Sequence, residues 1–147
     1  MDEAYRAVKE YRERYPEKAV IYTAQNYPQK AWAVLFAGGS LPGIPVVNDP
    51  DFLKDAVKMN AEKVEKSGNF YFKLGKIDTG ALIYSLINNE NLTVELPDGI
   101  YMLKTIDEKN GEVVTLNKRV KIINSYVLNT AGQKGKIFWL KRLDKAK

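Results

Sequence analysis

From Asn69 onward the chain is a series of short, strand-like segments separated by turn residues. The segments are Phe70 to Leu74, Ala81 to Ile87, Leu92 to Leu96, Ile100 to Ile106, Val113 to Leu116, Arg119 to Ile123, Tyr126 to Asn129 and Lys136 to Leu140. Between them stand Asn88-Asn89, Pro97-Asp98-Gly99, Asn110-Gly111, Gly132 and Gly135. Glycine and asparagine admit the backbone angles that tight turns need, so this spacing specifies antiparallel strands stacked as a sandwich. In KIFWL, Ile137 and Trp139 share one face while Phe138 and Leu140 share the other, the pattern of a strand packed on both sides.

The first half reads differently. Asp2 caps a helix running to about Tyr15, with Ala4, Val8, Tyr11 and Tyr15 on one face, and Pro16 ends it. Lys18 to Thr23 and Ala31 to Ala37 are short apolar runs, expected as buried strands. Gly38, Gly39 and Ser40 follow, then a Pro-Gly-Ile-Pro turn at 42–45. Asp49 and Pro50 open a second helix expected to reach Lys66, stopped by Ser67-Gly68. The expected fold class is α+β: a small N-terminal α/β layer (residues 1–68) packed on a C-terminal antiparallel β-sandwich (residues 69–147). No repeat and no Pro/Ser linker separates the halves.

Composition removes several kinds of chemistry. The 147 residues include no Cys and no His, which excludes disulfides, thiolate metal sites and His-based triads. The net charge of +5 is spread thinly, without the dense stripe or motif of a nucleic-acid binder. No apolar run has the length of a membrane span, and Met1-Asp2-Glu3 does not open like a signal peptide. Gly38-Gly39-Ser40 lacks the G-x-S-x-G spacing of a nucleophile elbow and the spacing of a phosphate loop. Asp98, Asp107, Glu108 and Glu112 read as ordinary turn acids rather than calcium ligands. Asp51, Asp55 and Glu62 read as a solvated helix face. No cofactor is called for.

One stretch suggests a ligand. Tyr22, Tyr27 and Trp32 surround a polar loop carrying Gln25 and Asn26, beside the Gly38-Gly39-Ser40 turn. Aromatic faces stack on sugar rings and amides bond hydroxyls, so these residues form a candidate glycan contact; the alternative is that Tyr22 and Trp32 belong to the core.

The order of parts also resembles a known family. KAVIYTAQNY (18–27), AWAVLFAGGSLPGIP (31–45) and DPDFLKDAVKM (49–59) are similar to the closing strand-and-helix unit of a (β/α)8-barrel. ALIYSL (81–86), LPDGIYMLKTIDEKNGEV (96–113) and KIFWLKRL (136–143) are similar to the sandwich that follows the barrel in secreted bacterial glycoside hydrolases of the apiosidase-like and collagenase-like type. The resemblance implies a non-catalytic C-terminal module of such an enzyme, the tail of a longer protein supporting its barrel, with a secreted or periplasmic location. Such hydrolases need two carboxylates across the scissile bond, and 18–48 contains no Asp or Glu, so no catalytic residue is carried over. The expected partners are the missing barrel, a glycan, or a second copy joined through the edges of 18–23 or 31–37. A free-standing carbohydrate-binding protein is the alternative, and a small enzyme using carboxylates or Lys a third reading.

Overall fold

The computed structural model describes residues 2–22, 27–40, 42–66, 69–85 and 91–144, and the chain is α+β. Three helices come first: α1 (Asp2–Arg14), α2 (Pro28–Phe36) and α3 (Phe52–Ala56). Eight strands follow: β1 (Asn60–Lys66), β2 (Asn69–Lys76), β3 (Gly80–Ser85), β4 (Asn91–Glu95), β5 (Gly99–Asp107), β6 (Val113–Ile122), β7 (Ser125–Asn129) and β8 (Lys136–Arg142). Six form one antiparallel sheet in the order β1-β2-β3-β8-β5-β6, and β4 pairs with β7 in a second sheet.

The large sheet is the middle of three layers. Leu82 and Tyr84 of β3 and Ile137 and Trp139 of β8 face the helices, in a core with Trp32, Phe36, Phe52 and Phe72. Their alternate neighbours Ala81, Ile83, Phe138 and Leu140 face the small sheet, packing with Val94, Leu128, Tyr101 and Ile122. Strand side chains alternate in direction, so the part of a central strand covered on both faces must be apolar at successive positions, as 81–84 of β3 and 137–140 of β8 are. Each fully buried large side chain contributes roughly 1.5–3 kcal/mol. At the outer edge, β6 is exposed from Val114 to Arg119 and shifts register twice against β5. Bulges and the cations Lys118, Arg119 and Lys121 discourage strand addition there.

Three expectations for the first half are corrected. Ala31 to Ala37 is not a strand but most of helix α2, with Ala31, Trp32, Ala33, Val34 and Phe36 all buried. A helix buried nearly all round loses its polar stripe, and its sequence then matches a buried strand. Its punctuation is helical: Pro28 occupies the first turn and Gly38 follows the C-cap at φ +83°. The Gly38 amide donates to Leu35 O and the Gly39 amide to Val34 O, the paired bonds of a Schellman motif. The glycines therefore end a helix rather than a strand.

Lys18 to Tyr22 belongs to neither sheet, with Lys18 in a bend and Ile21 in an isolated bridge, and Thr23 lies outside the described residues. Pairing of two copies through strands 18–23 or 31–37 is therefore unsupported by the fold. The helix expected over 49–66 is only the five residues of α3. From Asn60 the chain instead pairs with β2, from Asn60↔Gly75 to Lys66↔Asn69, and this hairpin overrides helix propensity. The position expected to divide the halves, 68/69, thus lies between two paired strands; Ser67 and Gly68 are outside the described residues.

Candidate functional site

The Schellman turn places Ser40 against the 18–22 stretch. The Ser40 amide donates to Val20 O at 2.9 Å, and the Val20 amide to Ser40 Oγ at 3.4 Å. Gly43, at φ +69°, passes so near that a Cβ there would lie 2.6 Å from Tyr22 O. These close approaches gather Tyr22, Gly38, Gly39 and Ser40 into one cleft of about 700 Å³. Its remaining wall is largely apolar, from Leu35, Ile44, Leu53, Val57 and Leu74, with Asn60 exposed nearby. Among its described lining residues the one charged side chain is Arg12, whose guanidinium donates to Pro16 O and Lys18 O at 2.9 Å each.

Of the other candidates for glycan contact, Trp32 and Tyr27 are not in this cleft. Trp32 is corrected to the core: it is fully buried, sits edge-on to Phe52 at 6.1 Å, and its indole N–H donates to Glu108 O at 2.9 Å. Its ring has no face free for a sugar. Tyr27 is exposed, at the start of α2, with the Lys30 ammonium 4.6 Å from its ring centre. Gln25 and Asn26 lie outside the described residues. The cleft can therefore offer apolar contact, a Tyr22 ring, the Ser40 hydroxyl, an Asn60 amide and one guanidinium.

A charged cluster lies on the helix side of β5 and β8. Lys104 Nζ meets Asp49 Oδ2 at 2.5 Å and stands 4.7 Å from the Trp139 ring centre. Lys141 pairs with Asp51 and stands 5.6 Å from the same ring. Cations over a buried indole gain from its electron-rich face. The hydrogen bond from Lys141 holds the Asp51 carboxyl below the ordinary range. Burial pushes Asp55 the other way, and its Oδ2 is buried without a hydrogen-bond partner. Asp51 and Asp55 are thus not the plain solvated face expected; Glu62 is exposed and pairs with Lys73 at 3.1 Å. Sequence reasoning missed the cluster because Lys104 and Lys141 are far from residues 49–55 in the chain, and only the sheet brings them together.

The turn acids also have structural partners. Asp107 accepts from Lys136 at 2.8 Å, which holds its carboxyl below the usual range, and Asp98 accepts from the Asn124 amide at 2.8 Å. Glu108 is buried rather than solvated, and Tyr84 Oη donates to its Oε2 at 2.5 Å. Among the described residues, no group of three or more acids is placed to hold a metal ion, and no helix is long and apolar enough to cross a membrane.

Residues 1–59 match the family model described as a domain of unknown function (DUF6298). The match takes in all three helices and stops just before β1 begins at Asn60. No curated protein and no solved structure matches the chain. What the chain shares with a family is thus 59 of its 147 residues, the segment that forms the helical layer and most of the cleft.

Proposed function

We propose that the chain is a non-catalytic module of a glycoside hydrolase, supporting a catalytic barrel through its helical layer and touching carbohydrate at the Tyr22–Ser40 cleft. The observation that carries this reading is the bare apolar surface of that layer. Val46 is 90% exposed, Val57 77% and Leu53 64%, and Ile21 and Tyr27 are exposed on the same N-terminal segment. The large sheet buries apolar side chains on both faces, and its exposed apolar side chains, Val114 at 46% and Leu116 at 47%, lie on the β6 edge and are less bare. Adjoining exposed apolar side chains mark an interaction surface. The barrel as partner rests on the sequence resemblance of 18–59 alone, since the segments it reads as barrel strands form helix α2 at 31–36 and no sheet strand at 18–22.

Carbohydrate contact rests on the cleft, where a phenol ring, a hydroxyl and an amide stand beside an apolar wall. The same feature favours the second reading, a free-standing carbohydrate-binding protein. Both readings are tested by incubating the purified chain with a panel of plant and host polysaccharides and following reducing ends and, by calorimetry, binding. The module reading predicts no turnover, and binding that weakens with Tyr22→Ala. Turnover that persists through purification and falls with Gln25→Ala would overturn it. Tight glycan binding by a monomer with Leu53 and Val57 replaced by Ser would favour the free-standing protein.

A further inference from the structure

The cleft does not stand alone. A second hollow of about 730 Å³ is formed by 44–50 with Phe52 and Leu53, and a third of about 490 Å³ lies between Pro28, residues 43–46 and Lys109. Ile44 lines all three, and Leu53 stands between the first and second. The wall they share is held in place. The Asn48 amide donates to Gly111 O at 3.0 Å, and Gly111 approaches so closely that a Cβ would lie 2.1 Å from Val46 O. A surface fixed before binding loses little freedom on binding.

Charge on this face follows a pattern. Arg12 lines the first hollow and Lys109 the third, and neither has an ion-pair partner among the described residues. The one acid, Asp49 in the second, is held by Lys104. The face is therefore apolar, with a cation in two of its three hollows. Two copies meeting face to face would offer those cations no free acid among the described residues that line the hollows. A bilayer is flat and would not fill three hollows.

We propose that this face docks a polypeptide segment whose apolar side chains fill the hollows around Ile44 and Leu53 and whose flanking carboxylates meet Arg12 and Lys109. The first of these hollows is the Tyr22–Ser40 cleft, so the segment and a glycan compete for it. The proposal rests on the reading that the helical layer faces a partner, and it names that partner's chemistry. Apolar anchors supply the affinity, and the two cations set orientation and reject basic segments.

The test uses the full chain and two labelled amphipathic peptides with the same leucine-rich centre, one flanked by Glu and one by Lys, read by fluorescence anisotropy. The Glu peptide is expected to bind and the Lys peptide not to bind. Leu53→Ser with Val57→Ser, both at exposed positions, is expected to weaken binding about tenfold or more. Lys109→Glu is expected to weaken the Glu peptide and to admit the Lys peptide, with circular dichroism confirming that each variant is folded. No binding of the Glu peptide, or equal binding of both, overturns the proposal. So does a dimer in light scattering that the Leu53/Val57 variant abolishes, or binding to phosphatidylserine vesicles in place of peptide. A chain that binds neither peptide and turns over no glycan refutes this partner chemistry alone. Turnover that falls with Gln25→Ala refutes the module reading whichever peptide binds.

Discussion

Glu108 links the sheet to the helical layer, its carboxylate accepting from Tyr84 of β3 and its carbonyl from Trp32 of α2, and removing one oxygen atom from Tyr84 measures the first of these bonds. Tyr84 projects from β3 beside Phe36, with ring centres 6.2 Å apart, and donates to Glu108 Oε2 at 2.5 Å. Glu108 follows β5 and is 5% exposed. Its carbonyl accepts from Trp32 of α2, and its amide donates to Gly135 O at 2.9 Å. Three elements therefore meet at one residue. Burial first, and then the Glu108 hydrogen bond, push the Tyr84 phenol far above its ordinary range, so it stays a donor at every pH where the protein is handled. Tyr84→Phe keeps the ring and its packing but leaves the carboxylate short of a buried partner. A hydrogen bond to a charged group is worth about 1.5–3 kcal/mol. At about 3 °C per kcal/mol for a chain of this length, Tm should fall by about 5–9 °C. Urea unfolding should show the same loss with an unchanged slope. Tyr101→Phe is the control: its hydroxyl donates to a neutral carbonyl, Pro97 O, at 2.8 Å, and the expected cost is about 0.5–1.5 kcal/mol. A Tyr84→Phe cost no larger than that of Tyr101→Phe would refute the claim that the Tyr84 bond holds the buried Glu108 side chain in place.

Other substitutions probe the same architecture. Gly38→Ala should cost about 1–2 kcal/mol from its left-handed backbone alone, since nothing lies within 4 Å of a Cβ there. Gly39→Ala should cost more, because its Cβ would lie 2.3 Å from Val34 Cγ1; equal melting curves for the two would refute the Schellman assignment. Trp32→Phe should lose about 1–3 kcal/mol through the unmet Glu108 carbonyl, with no effect on glycan binding by calorimetry once the folded fraction is matched. For Asp55, burial raises the folded-state pKa, so its favourable contribution is present below the unfolded value and lost as pH rises through the folded one. Asp55→Asn should therefore melt higher than the parent at neutral pH, and the gap should close below the ordinary carboxylate pKa, near about pH 4. Asp107 has the opposite sign: Lys136 depresses its pKa, so its stabilisation holds above the ordinary range and fades on acidification.

The β half was legible because its signals are local. Asn110-Gly111 marks the β5–β6 turn, where Gly111 takes φ +74° and Asp107 N bonds Glu112 O. KIFWL shows its two buried faces directly, and Ile137, Phe138, Trp139 and Leu140 are all buried. The segments 113–116 and 119–123, read as two strands, are one bulged strand, because Asn117 and Lys118 interrupt the alternation without ending the pairing. The helical layer was harder. AWAVLF carries no polar stripe, and its identity lay in Pro28 and the glycine pair, residues that also suit a loop after a strand. Residues 57–66 continue a plausible helix, and only pairing with β2 makes 60–66 a strand. Within the candidate site, Tyr22 and the Gly38–Ser40 turn do come together, but Trp32 does not, since an apolar residue between buried neighbours gives no sign of which way its ring points. The Asp49–Lys104 and Asp51–Lys141 pairs span 55 and 90 residues, beyond any local pattern.

The most direct measurement is hydrogen–deuterium exchange of the full chain with and without the Glu-flanked peptide. If the helical layer is the partner-facing surface, exchange should slow between Ile44 and Val57 and stay unchanged along the β6 edge from Val113 to Ile122. Protection running along β6 instead, with residues 44–57 unaffected, would mean that the chain meets partners by strand addition and would contradict the account.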